Sequence, residues 1–298
     1  MTIPTSVPTG RLAAAHLSVA YGDRQVLHDV NLVLPDGAVT AIVGPNGCGK
    51  STLLKALARV LAPGAGSVRL DGRSIHSLPT RQVAREVGLL PQATVAPEQL
   101  TVADLVARGR YPHRGPFGRW TVADQAAVED ALRATATEAL QDRPVDELSG
   151  GQRQRVWIAM VLAQQTPLLL LDEPTTYLDL AHRLEVLRLL RRLNRDRGVT
   201  VVMVLHDLHE AARCADHLVA MAEGAIVAQG HPRATVTPEL VQAVFGVRCT
   251  TVTDPVSGAP LIVPLDDPFD APSLPGPAGR QRAPSAAPSA KNATSRSA

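Results

Sequence analysis

The chain of 298 residues is poor in aromatic side chains, in cysteine and in net charge. Aromatic residues make up 3% of the sequence, and no basic stripe is interleaved with them, so we expect no nucleic-acid partner. The three cysteines, Cys48, Cys214 and Cys249, are odd in number and lack C-x-x-C spacing. They exclude a disulfide framework and are typical of a reducing compartment. The formal net charge is only +2, with arginines scattered among acids, which is typical of solvated surfaces.

Long apolar runs are also missing. A helix that crosses a bilayer needs about 20 apolar residues, whereas residues 168–171 and 199–205, the longest candidates, have the length of strands. The first residues lack the basic and apolar regions of a signal peptide. We therefore expect a cytoplasmic protein that does not itself cross the membrane.

The composition changes near the C-terminus. The whole chain is 45% hydrophobic, enough for a large core, but residues 266–298 consist mainly of Pro, Ala, Ser, Gly and Arg. Such a segment cannot bury enough apolar surface to offset the entropy of ordering it. The sequence predicts a folded domain over 11–265 and a disordered tail over 266–298. An extension without a role is favoured over a regulatory or tethering one.

A glycine-rich loop predicts a phosphate site. Residues 39–43 are typical of a buried strand and 51–60 of a helix, and the segment between them matches G-x-x-x-x-G-K-[ST]. Backbone amides at a helix N-terminus favour anions, so this loop is predicted to hold ATP phosphates, with the lysine as a point charge and the serine hydroxyl on Mg²⁺. The predicted nucleotide residues here are Gly44, Pro45, Asn46, Gly47, Cys48, Gly49, Lys50, Ser51 and Thr52.

Two acids follow a run of leucines. Asp172 and Glu173 come after residues 168–171, so they should emerge at the carboxyl end of a buried strand, where open α/β sheets bind ligands. Asp172 is the predicted Mg²⁺ ligand together with Ser51, and Glu173 is predicted to polarise the attacking water. His206 ends the next predicted strand in a similar position.

A third motif separates one class of ATPase from others. The signature segment Ser149, Gly150, Gly151 and Gln152 follows Leu148, and Ser149 is typical of a helix N-cap. Together with the phosphate loop and the Asp-Glu pair, in this order, it resembles the ATP-binding cassette (ABC) family. The resemblance implies that the signature segment completes the ATP site of an opposite subunit. Because each motif occurs once, it implies a head-to-tail homodimer.

The same resemblance implies further roles. His206 would contact the γ-phosphate, and Gln92 would touch Mg²⁺ and the water. Tyr21 would stack on adenine, and Asp179 would lie in the loop that crosses the dimer interface. We therefore predict Glu173, His206 and Gln92 as catalytic, and Ser51, Gln92 and Asp172 as metal ligands.

The predicted fold is α/β: a P-loop NTPase with an antiparallel β subdomain, a RecA-like parallel-sheet core and a helical insert over about 93–160. Short strands are predicted at 17–21, 26–27 and 30–34, where apolar residues alternate with turns. Between Thr101 and about Leu140 the apolar spacing becomes helical. Alternating strands and helices in the remaining core indicate a parallel sheet covered on both faces.

Within the ABC family the chain is most similar to subunits of iron-siderophore importers. The likeness includes the segment Arg108–His113, although Arg183 stands where glutamine is expected. It implies permease subunits, an extracytoplasmic substrate-binding protein as an indirect partner, and a position on the cytoplasmic face of the membrane. Cobalamin or haem import, a soluble non-transport ATPase and an inactive regulatory subunit are the alternatives. A surface loop without a role is the alternative for Arg108–His113.

Overall fold

The computed structural model describes residues 10–93, 96–115, 118–176 and 178–265. These residues belong to one compact unit that ends at Leu265. The predicted tail 266–298 lies outside the described residues, as does Tyr177 in the segment before Asp179. No helix within the described ranges is long and apolar enough to span a bilayer.

Strands and helices are numbered in chain order. The strands are β1 Leu12–Tyr21, β2 Arg24–Val33, β3 Val39–Val43, β4 Ala65–Leu70, β5 Arg73–Ser74, β6 Val87–Leu90, β7 Leu168–Asp172, β8 Thr200–Val204, β9 His217–Ala222, β10 Ala225–Gly230, β11 Cys249–Thr253 and β12 Pro260–Pro264. The helices are α1 Lys50–Leu57, α2 Thr80–Glu86, α3 Val102–Ala107, α4 Val122–Ala134, α5 Gly150–Ala163, α6 Leu180–Arg197, α7 Leu208–Cys214, α8 Pro232–Thr235 and α9 Pro238–Phe245.

The antiparallel sheet has the order β2-β1-β4-β5. Its first two strands are continuous over ten residues each, so the prediction of three short strands was wrong in detail. The register shifts along this pair, and His16 and Asp29 have φ of 51° and 49°. Such bulges break the alternation of apolar and polar residues, so one bent strand looks like two short ones in the sequence.

The central sheet has the order β10-β9-β3-β8-β7-β6 and is parallel except for β10. All five residues of β3 are buried, with the bounds that the sequence predicts. Ala41 and Val43 pack with the insert helices and α6, whereas Ile42 packs with α1 and the antiparallel sheet. The predicted parallel sheet with both faces covered is therefore confirmed, and its carboxyl edge carries the site.

The helices α3, α4 and α5 form the insert around a buried ion pair. Arg110, in the short 3-10 helix Arg108–His113, donates to Asp124 Oδ1 at 2.9 Å and to the carbonyl oxygen of Ala163 at 2.8 Å. A hydrogen bond from the Thr121 hydroxyl is the main cause that lowers the pKa of Asp124 to about 2, and Arg110 lowers it further. Part of the segment Arg108–His113 is thus internal, while Tyr111 is exposed.

Candidate nucleotide-binding site

The phosphate loop leads from β3 into α1. Gly49 is the N-cap of α1 with φ 104°, and a Cβ there would lie 2.8 Å from the Leu27 side chain, so glycine is required at this turn. Lys50 is buried, and its Nζ donates to the carbonyl oxygens of Gly44 and Pro45, each at 2.8 Å. The ammonium charge is therefore held inside the loop by backbone oxygens, beside amides that favour an anion.

A cavity of about 380 Å³ brings predicted residues together from four distant segments. Its walls come from the phosphate loop with the start of α1, from Gln92 after β6, from Glu173 after β7 and from His206 after β8. Val26, which the sequence analysis did not single out, also lines it. A space of this size, rich in polar groups at the carboxyl edge of a parallel sheet, has the dimensions of a small-ligand site.

Asp172 and Ser51 form a polar pair beside this cavity. The Ser51 hydroxyl donates to Asp172 Oδ1 at 2.8 Å, whereas Oδ2 is buried without a hydrogen-bond partner. Burial raises the pKa of Asp172, because a desolvated carboxylate lacks compensation for its charge. An unpaired buried carboxylate oxygen next to a hydroxyl is the donor set that fits Mg²⁺. Within the described ranges no group of three or more His, Cys, Asp or Glu side chains that could hold a metal ion is found, so ligands besides Asp172 and Ser51 would come from another side chain such as Gln92, from the nucleotide or from water.

Glu173 and His206 are in direct contact. Glu173 Oε1 lies 2.6 Å from His206 Nε2, and Oε2 accepts from the Thr176 hydroxyl at 3.1 Å. The Glu173 side chain is 7% exposed, while that of His206 is 45% exposed. A buried carboxylate beside a more accessible imidazole is a suitable pair for accepting a proton and orienting a water molecule. Gln92 is exposed at the cavity wall.

Other predicted residues do not line this cavity. Tyr21 is 46% exposed at the end of β1. Ser149 caps α5 through two reciprocal hydrogen bonds. The backbone amide of Gln152 donates to the Ser149 hydroxyl, and the backbone amide of Ser149 donates to Gln152 Oε1. Asp179 is exposed and caps α6 by accepting from the His182 amide, which is the main cause that lowers the pKa of Asp179. The signature segment therefore presents a capped helix N-terminus that does not line the cavity of its own chain.

Two contacts near Glu173 were missed by sequence reasoning. Thr176 bonds the Glu173 carboxylate, and Gln154 Nε2 donates to the carbonyl oxygen of Pro174 at 3.0 Å. The contact between Gln154 and Pro174 joins residues that are 20 positions apart in the sequence, and no local pattern predicts it. Thr176 could have been suspected from its place in the turn after Glu173.

Comparisons with known proteins agree with this geometry. The model of the ABC transporter family matches residues 27–176. The ferric enterobactin transport ATP-binding protein of Escherichia coli is 52% identical over 86% of this chain and 94% of its own length. A probable siderophore transport system ATP-binding protein of Bacillus subtilis is 53% identical over 83% of this chain and 90% of its own.

A solved structure has the same fold. It belongs to a metal-chelate type ABC transporter in an inward-facing conformation, with a TM-score of 0.75 and 30% identity. The match covers 87% of this chain and 98% of that one. Since the family model matches half of the chain and two relatives about half identical to it are matched over 90% or more of their length, the chain belongs to the ABC transporter family, as an ATP-binding and ATP-hydrolysing subunit.

Proposed function

We propose that this ATPase energises the import of ferric siderophores through a separate permease. The observation that carries the proposal is the cavity in which the phosphate loop, Glu173 and His206 meet, in a chain about half identical to two siderophore-transport relatives. Cobalamin import is supported less, because a cobalamin import relative from Halobacterium salinarum is 40% identical and matched over 63% of its length. Haem import and a non-transport ATPase have no comparable support.

Each side chain has a role in the proposed hydrolysis. Lys50 and the amides of the loop bind the phosphates, and Tyr21 stacks on the adenine. Glu173 accepts a proton from the attacking water, which His206 and Gln92 orient. Ser51, Asp172 and Gln92 would hold Mg²⁺, which when bound would supply Lewis-acid stabilisation of the phosphate charge.

The proposal includes a homodimer. The signature segment lies outside the chain's own cavity, yet its capped helix N-terminus is suited to a phosphate group. In a head-to-tail pair, each signature segment would close the cavity of the opposite copy, with Asp179 at the interface. Closure on ATP and opening after hydrolysis would then supply the mechanical step.

Asp172→Asn is expected to remove most of the Mg²⁺ dependence of hydrolysis. Asparagine keeps the shape of the side chain but removes the charge on the unpaired oxygen. Loss of this ligand should lower kcat by about 100-fold at saturating ATP, which corresponds to a few kcal/mol of metal-derived stabilisation. ATPase rates measured over a Mg²⁺ titration test this, with Asp196→Asn on the exposed surface of α6 as the matched control. A variant that keeps the wild-type Mg²⁺ response would remove Asp172 from the metal site.

The permease would dock in a groove of the insert. A cavity of about 530 Å³ between α3 and α4 is lined by apolar residues such as Leu100 and by Tyr111 and Trp120, both exposed. Arg114 lies over the Trp120 ring at 5.5 Å and completes a surface with both apolar and charged contacts. An exposed aromatic patch with a polar rim is suited to a helix of a partner. We propose the cytoplasmic helix of the permease as its occupant, which holds the subunit at the cytoplasmic face of the membrane.

Copurification from native membranes tests both the partner and the cargo. The tagged chain is expected to recover a permease of many helices and, through it, a substrate-binding protein that binds ferric siderophore in vitro. Trp120→Ala should lower recovery of the permease about tenfold while the ATPase rate of the isolated chain is unchanged, because Trp120 lines the groove of the insert and not the phosphate cavity. Val252→Ala, at an exposed position of β11, serves as control.

Two results would overturn the proposal. Recovery of ribosomal or DNA-repair proteins without a permease would favour the soluble class. A binding protein that takes cobalamin or haem and not ferric siderophore would change the cargo and leave the ATPase assignment intact.

A further inference from the structure

The turn that carries Glu173 has an unfavourable backbone. Glu173 has φ 54°, in the left-handed region that residues other than Gly and Asn rarely adopt. The next residue is Pro174, and proline biases the residue before it towards extended conformations. Such a conformation persists only where surrounding contacts hold it.

Hydrogen bonds hold this turn at several points. His206 Nε2 contacts one carboxylate oxygen of Glu173, and the Thr176 hydroxyl donates to the other. The Thr176 backbone amide donates to the Glu173 carbonyl oxygen at 3.2 Å. All of these contacts fix the side chain or close the turn itself. Gln154, in α5, contacts the backbone of the turn: its Nε2 donates to the Pro174 carbonyl oxygen. This hydrogen bond tethers the turn to α5.

Gln154 lies on the same helix as the signature segment. Gln154 lies in the first turns of α5, the helix that Ser149 caps and that begins at Gly150. The N-terminal end of α5 therefore carries the signature segment, and Gln154 close to that end is hydrogen-bonded to the turn of Glu173 in the same chain. Gln154 does not line the phosphate cavity of its own chain, and its contact towards that site is the hydrogen bond to the turn of Glu173.

We propose that Gln154 is a positioning residue that couples the placement of the signature helix to the catalytic carboxylate of the same chain. A displacement of α5 moves the Pro174 carbonyl and, through the strained φ of its neighbour, the Glu173 carboxylate. Engagement of the signature segment by nucleotide at the opposite site would thus set the base at the chain's own site. This inference builds on the proposed role of Glu173 as the base.

Gln154→Met tests the coupling, since methionine has a similar length and no donor. We expect kcat to fall about 10- to 100-fold, as for an ångström-scale misplacement of a catalytic group, while KM for ATP stays within about twofold. Gln154→Asn is the second variant, because its amide falls one methylene short of Pro174. Gln242→Met, an exposed glutamine on α9, is the matched control and should match the wild type.

A second readout separates positioning from general damage to the fold. In the Glu173→Gln background, Gln154→Met should leave ATP-driven dimer formation and the melting temperature unchanged, because the tether acts on the base and not on ATP binding. Loss of dimer formation in the double variant would overturn the inference, and so would wild-type kcat in both Gln154 variants. Wild-type turnover in Glu173→Gln alone would instead remove the proposed base, a failure distinguishable from that of the tether.

Discussion

Glu173→Gln is expected to lower kcat by about 10³-fold or more while ATP still binds. Glutamine has nearly the shape of glutamate, so the turn and the contact with Thr176 can persist. An amide cannot accept the proton from water, however, and general base catalysis contributes about 10²- to 10⁴-fold. The large expected loss follows from burial, because a side chain that is 7% exposed leaves little room for bulk water to replace it as the base.

The measurement combines turnover with assembly. Steady-state hydrolysis should be nearly absent in Glu173→Gln, whereas equilibrium ATP binding is unchanged and size-exclusion chromatography with ATP and Mg²⁺ shows a stable dimer. Glu185→Gln, an exposed acid on α6, is the matched control and should hydrolyse ATP at the wild-type rate. Hydrolysis by Glu173→Gln at wild-type rates would show that another group is the base.

Arg110→Met is expected to lower the free energy of unfolding by about 3–5 kcal/mol, because it removes one partner of a buried ion pair. The side chains of Arg110 and Asp124 are 6% and 5% exposed, and Arg110 also bonds Ala163 and Gln165. Methionine fills much of the volume but leaves the Asp124 charge and a carbonyl oxygen without this partner. The cost arises from these uncompensated groups.

Urea unfolding of the purified chain measures this loss. Arg133→Met is the matched control, since Arg133 pairs with Asp130 on an exposed surface and should cost less than about 1 kcal/mol. The pH dependence of the free energy of unfolding gives a second check. The pKa of Asp124 is lowered in the folded chain, so the stability that this lowered pKa contributes is complete above about pH 4 and is lost as the pH falls towards 2. An Arg110 variant as stable as the control would mean that the pair adds nothing to folding.

The sequence predicted the phosphate loop in detail because its determinants are local. The strand Val39–Val43, the glycines and the helix after them are contiguous, and each residue type has a direct backbone reason. The helix ends at Leu57, so the predicted end at Val60 was wrong. The prediction extended too far because apolar spacing continues beyond the last helical turn. Boundaries of this kind depend on capping, which periodicity does not report.

Contacts between distant segments could not be predicted in the same way. The bond of Gln154 to Pro174 spans 20 residues, and that of Arg110 to Ala163 spans 53. Neither follows from the spacing of apolar residues, since both depend on how the insert packs beside the central sheet. The roles assigned to Tyr21, Gln92 and Asp179 stay predictions, because the resemblance supplies them and their positions alone do not test them.

The separation of the signature segment from its own cavity has a kinetic consequence for the proposed dimer. If two copies must meet before either hydrolyses ATP, the rate for the isolated chain rises with the square of its concentration, and dilution lowers its specific activity. A permease that binds two copies side by side replaces this dependence with an effective concentration of about a millimolar. Hydrolysis would then be confined to assembled transporters, and unassembled copies in the cell would consume little ATP.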